Sequence, residues 1–175
     1  MKKLVLFLML SLLSINQLIA QSTEDLVTKI RRQYNEVSSM ENNRQSISCQ
    51  NGSSFVYRNM GGQNMKFPQS AKKCTYPGGY TIITSKFEDW EFGASAKFYF
   101  LNGQLFFVFA NVSNVASGYE YRTYYNNGSV IRVLQKGGVF GEESKVNQDV
   151  TYNSDGSWVK KFNSERLRQS ISMLK

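Results

Sequence analysis

The stretch Ala94–Val112, ASAKFYFLNGQLFFVFANV, decides how the rest of the chain is read. Two runs rich in aromatic and β-branched residues flank Asn102-Gly103, a pair suited to a two-residue type I′ turn because both positions tolerate positive φ. The reading is a β-hairpin with Leu101 opposite Gln104, Phe100 opposite Leu105 and Phe98 opposite Phe107. One face then carries Ala96, Phe98, Phe100, Leu105, Phe107 and Phe109, is wholly apolar and must be buried. The other carries Lys97, Tyr99, Gln104, Phe106 and Val108, and is expected to be half exposed.

Twenty-five residues on, YEYRTYYNNGSVIRVLQKGG (Tyr119–Gly138) repeats the pattern around Asn127-Gly128. The same turn logic puts Tyr125 opposite Val130, Tyr124 opposite Ile131 and Arg122 opposite Val133. A third segment, YNSDGSWVKKF (Tyr152–Phe162), shares the Y-x-x-N/D-G pattern and reads as a further hairpin. Further turn signals stand at Gly61-Gly62, Pro77-Gly78-Gly79, Gly137-Gly138 and Asp155-Gly156. Together they predict an antiparallel meander from Arg44 onward.

Both ends read as helix. Leu26, Val27, Ile30, Tyr34 and Val37 recur at spacings of three and four, with Ser22 or Thr23 as cap and Glu24 and Asp25 in the first turn. At the other end Leu167, Ile171 and Leu174 share a face, with Asn163 or Ser164 as cap. The fold class expected is α+β: an antiparallel meander sheet with N-terminal and C-terminal helices packed on one face.

The chain opens MKKLVLFLMLSLLSINQLIAQ. Lys2 and Lys3, an apolar block from Leu4 to Leu13 and a small residue at Ala20 have the layout of a secretory leader. The block is shorter than the roughly 20 apolar residues a membrane span needs. Residues 1–20 are therefore read as a signal peptide and 21–175 as one domain, secreted or periplasmic. In that compartment Cys49 and Cys74 are expected to form a disulfide.

Composition excludes much. The chain has no histidine, which removes Ser-His-Asp and Cys-His catalysis and leaves too few nitrogen and sulfur ligands for a structural zinc. Neither G-x-x-x-x-G-K-S/T nor G-x-G-x-x-G occurs, so no nucleotide cofactor is expected. Beyond the leader, 19 basic and 13 acidic residues remain, an excess that favours acidic partners while serving solubility. The tight acidic cluster is Glu88-Asp89-Trp90-Glu91. If extended, Asp89 and Glu91 share a face about 6.6 Å apart, which allows a carboxylate pair acting on a glycan, although a solvated acidic face explains it as simply. Glu120 is expected to pair with Arg122.

The Lys-Lys leader ending in Ala20-Gln21, the Ile30-Arg31-Arg32-Gln33-Tyr34 segment and the Y-x-x-N-G-x-L-F-x-V hairpins resemble small exported proteins of Bacteroidetes, most of which carry no assigned function. The Y-x-x-N/D-G units are also similar to β-lactamase-inhibitor-like and PepSY-like periplasmic modules. These resemblances imply an exported domain and bring no site residue with them. The residues offered as a binding surface are Tyr99, Tyr121, Arg122, Tyr124 and Arg132, because Tyr and Arg on an exposed sheet face suit a protein or glycan partner, while strand propensity alone also explains the tyrosines. The function expected is a non-enzymatic binding module of the cell envelope, an inhibitor or immunity protein included, with no nucleic acid partner. The alternatives are a carboxylate-based glycan-active enzyme and a structural component of an envelope assembly.

Overall fold

A computed structural model describes the backbone of residues 2–88, 92–139 and 145–175, and their side chains except at 2–21, 60, 145 and 146. Helix α1 (Lys2–Asn42) precedes strands β1 (Ser48–Met60), β2 (Gln63–Tyr76), β3 (Tyr80–Glu88), β4 (Phe92–Leu101), β5 (Gln104–Asn114), β6 (Ser117–Asn126), β7 (Ser129–Val139) and β8 (Lys145–Asp149), and α2 (Ser154–Met173) follows. The strands form one antiparallel sheet in chain order, the meander expected from the spacing of the turns.

The Asn-Gly turns form as the residue types require, with positive φ at Asn102, Gly103, Asn127 and Gly128. Three residues past each turn the register slips. Phe98 lies opposite Val108 and Tyr99 opposite Phe107, not Phe98 opposite Phe107, so a bulge falls at Phe106. In the second hairpin Tyr124 lies opposite Arg132 and Arg122 opposite Leu134, with the bulge at Ile131. One extra residue turns everything beyond it to the other face. Phe107 and Phe109 therefore join Tyr99, while Val108 joins Phe98. The 25-residue repeat thus includes the bulge itself.

The two helices take opposite faces of the sheet, not one. Val27, Ile30 and Val37 of α1 pack with Cys74, Tyr80, Ile82, Tyr99, Phe107 and Tyr124. Val159 and Phe162 of α2, with Leu174 just past it, pack with Ala71, Ile83, Phe98, Val108 and Val133. Neighbours in one strand, such as Ile82 and Ile83 or Phe98 and Tyr99, point to opposite sides, so each of strands β2–β7 buries side chains on both faces. On the α2 face a row of small residues runs across the sheet, Gly52 opposite Ala71, Ala71 opposite Ser85, Ser85 opposite Ala96 and Ala96 opposite Ala110. The end of α2 comes so close that a Cβ on Gly52 would stand 2.0 Å from the Met173 carbonyl oxygen.

Two glycine signals have other causes than turns. Gly137 lies inside β7 at φ 115°, against the Gly118 carbonyl. Gly156 lies in the first turn of α2, where a Cβ would meet the Val150 carbonyl oxygen at 2.0 Å. The third hairpin is accordingly the start of α2. Asn153 caps that helix by accepting a bond from the Gly156 amide at 3.0 Å, and Asn163, expected as cap, is buried in the helix and donates to Thr123 Oγ1. In the full chain α1 continues through Ser22 and Thr23, so neither ends it. Cys49 and Cys74 lie directly opposite each other and are joined by a disulfide. No helix among the described residues is long and apolar enough to cross a membrane.

Candidate functional site

The sheet face under α1 is best read as rows of side chains running across the strands. The row beneath the helix is Cys49, Cys74, Ile82, Tyr99, Phe107, Tyr124 and Arg132 in successive register pairs. Tyr34 of α1 sits on it, with ring centroids 5.2 Å from Tyr99 and 4.9 Å from Phe107. Burial, then the neighbouring Tyr34 and Glu41, push the Tyr99 hydroxyl pKa well above its ordinary value.

This row contains three of the five residues offered as a binding surface. Tyr99 and Tyr124 are core, and Tyr124 also accepts a hydrogen bond from Arg31 Nε at 3.5 Å. Arg132 is drawn to Glu24 of α1 at 2.5 Å and to Asp149 at 3.5 Å, and its hydrogen bond holds the Glu24 carboxyl pKa below its ordinary value. Tyr121 faces the other way, against Trp158 of α2. Arg122 alone stands at the open part of the α1 face, paired with Glu120 at 2.5 Å as expected. The five therefore do not make one exposed surface. Asp89 and Glu91 lie outside the described residues.

One pleat beyond the covered row the chemistry changes. The next row is Asn51, Lys72, Thr84, Lys97, Phe109 and Arg122, and the one after it Ser53, Ser70, Lys86, Ser95, Asn111, Glu120 and Lys136. Hydroxyls, amides and cations replace aromatic rings. A concavity of about 710 Å³ lies over the β1–β4 part of these rows, with Lys72, Lys86, Lys97, Ser53, Ser70 and Thr84 in its lining.

The charges are unevenly compensated. Both carboxylate oxygens of Glu41, near the end of α1, take Lys97 Nζ at 2.8 and 2.9 Å. Lys72, Lys86 and Lys136 are exposed and have no ion-pair partner among the described residues. Glu88 stands at the outer end of β3. Lys136 stands four strands from Lys86, opposite Glu120 in register, but Lys72 and Lys86, on adjacent strands about 4.8 Å apart, lie within a Debye length of one another. They repel, and an anion laid across them relieves that repulsion.

Sequence reading missed these lysines because Lys72 and Lys86 are far apart in the chain. A signal was present. Ser70-x-Lys72-x-Cys74-x-Tyr76, Lys86-x-Thr84-x-Ile82-x-Tyr80, Ser95-x-Lys97-x-Tyr99 and Glu120-x-Arg122-x-Tyr124 each pass from polar to apolar along one face. Four strands switching at the same level mark where a covering helix stops.

Among the described residues no three potential ligands lie together in a way that could hold a metal ion. No family model matches this chain, and no curated protein or solved structure does so either.

Proposed function

We propose that this protein is an exported, non-enzymatic binding module that holds an acidic glycan of the cell envelope against the open half of its α1-side sheet face. The supporting observation is the pair of uncompensated lysines, Lys72 and Lys86, which line a broad concavity together with serine, threonine and asparagine side chains, with Lys136 farther along the same face on β7. Ammonium groups serve as point charges for carboxylate or sulfate, and the hydroxyls and amides supply both donors and acceptors for sugar hydroxyls. The same composition disfavours a protein partner, because Lys and Ser are depleted at the cores of protein interfaces. Export is supported by the leader-like opening and by the disulfide, which persists in oxidising compartments.

The test is titration of the purified protein, expressed from Met1, with polygalacturonate and with neutral dextran. Binding to the acidic polymer is expected to weaken as salt rises. The triple variant Lys72→Gln, Lys86→Gln, Lys136→Gln should bind it about tenfold more weakly or worse. Equal binding of neutral dextran, or native affinity in the triple variant, refutes the proposal.

A further inference from the structure

Strands β1 and β2 pair over their whole length to Met60 and Gln63, whereas the ladder between β2 and β3 stops at Gln69 among the described residues. Pro68 follows it, and proline has no N–H to extend a ladder. Residues 55–68 thus form a two-stranded arm. Its α2 side is anchored: Phe67 is buried, and the Arg58 guanidinium lies over the Phe87 ring, 5.8 Å from its centroid. Its other side continues the α1 face, and there Phe55 and Tyr57 are 51% and 64% exposed. Lys66 Nζ stands 3.7 Å from the centre of the Phe55 ring and lies opposite Tyr57 in register.

Two exposed rings on a well-paired strand need a reason, since open sheet edges with apolar side chains invite self-association. Their position supplies one. Tyr57, Phe55, Ser53 and Asn51 are successive residues on one face of β1, so the rings continue the two polar rows without a break. From Tyr57 to Asn51 the strand covers about 20 Å, too long for one sugar and suited to several linked ones.

We infer that the arm is the second half of the glycan-binding surface, with Tyr57 and Phe55 stacking the apolar faces of sugar rings whose carboxylates meet Lys66, Lys86 and Lys72. This rests on the reading of the lysine face given above. An aromatic ring offers flat apolar area with little conformational entropy to lose, and an ammonium beside it meets the charge that a uronic acid carries next to its ring. The arm therefore makes the site prefer chains over single sugars.

Calorimetric titration with galacturonate oligomers of increasing length tests it. In the native protein, affinity should rise from dimer to hexamer. Tyr57→Ala with Phe55→Ala should abolish most of that rise, about five- to tenfold at the hexamer, while the salt dependence is retained. Tyr57→Phe, which keeps the ring, should bind as the native protein does. If the double alanine variant shows the native length dependence, the arm is not part of the site. If no acidic oligomer binds the native protein at any length, the lysine-face reading fails first and takes this inference with it. Native protein that sediments as a dimer, with the double variant a monomer, assigns the rings to self-association and overturns the inference.

Discussion

Two halves of one sheet face, a single pleat apart, do opposite things. Beneath α1 the row of Cys74, Ile82, Tyr99, Phe107 and Tyr124 is closed and aromatic, while beside it the row of Lys72, Thr84, Lys97, Phe109 and Arg122 is open and mostly polar. The same strands supply both. What separates them is how far the helix reaches. At the boundary Glu41 of the helix grips Lys97 of the sheet, so the last ion pair of the covered half neutralises the first cation of the open half. A tyrosine-rich strand is thus not in itself a binding face. The side chains available for binding are those one step past the cover.

The contrast can be broken by truncation. Tyr99→Ala in the closed row should cost about 3–5 kcal/mol, lowering the melting temperature by about ten degrees, whereas Lys86→Ala in the open half should change stability by no more than about 0.5 kcal/mol. Thermal melts followed by circular dichroism decide it, and equal losses at the two sites would erase the distinction.

Slightly smaller is the contribution of the disulfide, which ties edge strand β1 to the closed row at Cys74. Replacing both Cys49 and Cys74 with Ser should cost about 3 kcal/mol in the chain-entropy account. Denaturant unfolding measures this. An unchanged midpoint would mean that β1 is held by its ladder alone.

The buried tyrosines, Tyr80 beneath α1 and Tyr121 on the α2 face, should also be sensitive to alkali. Burial, then the hydrogen bond to Glu36, pushes the Tyr80 hydroxyl up to about 12, and burial, then Asp155, does the same for Tyr121. The unfolded chain ionises its tyrosines near pH 10. Stability from keeping these hydroxyls neutral is therefore fully present below about pH 10 and is lost as pH rises through the folded values. Tyrosinate absorbance should lag behind that of free tyrosine and then appear together with the loss of near-ultraviolet dichroism. A gradual titration centred at pH 10 with the dichroism intact would contradict the closed core.

The smallest effect sharpens the boundary. Glu41→Gln should cost no more than about 1 kcal/mol, as expected for a partly exposed pair, and it frees Lys97 to join the open lysines. Affinity for polygalacturonate should then rise a fewfold, with a steeper dependence on salt. Weaker binding would mean that Glu41 itself serves the site.

Much of this architecture is legible in the sequence, and the failures have physical causes. The Asn-Gly turns, the order of the strands and the paired cysteines follow from local chemistry. The bulge at Phe106 does not, because Leu105-Phe106-Phe107-Val108-Phe109 is apolar at every position and alternation has nothing to fix its register, and the one at Ile131 is marked only by its place 25 residues further on. That same unbroken apolar run is the mark of a strand covered on both sides, which is why the helices divide between the faces. The start of α2 was hidden by Asp155-Gly156, where glycine is needed for a close carbonyl and not for a turn. Of the binding surface, Arg122 was legible from its strand alone. Lys72 and Lys86, on the same face four and three strands away, become neighbours of each other only once register is known.

The central claim is that the polar half of the α1 face receives an acidic chain. Amide chemical shifts of the labelled protein, followed as galacturonate hexamer is added, test it most directly. Shifts should concentrate at Lys72, Thr84, Lys86, Ser95 and Lys97, with those of Val159 and Phe162 on α2 unmoved. Shifts centred on α2, or none at saturating oligomer, would contradict it.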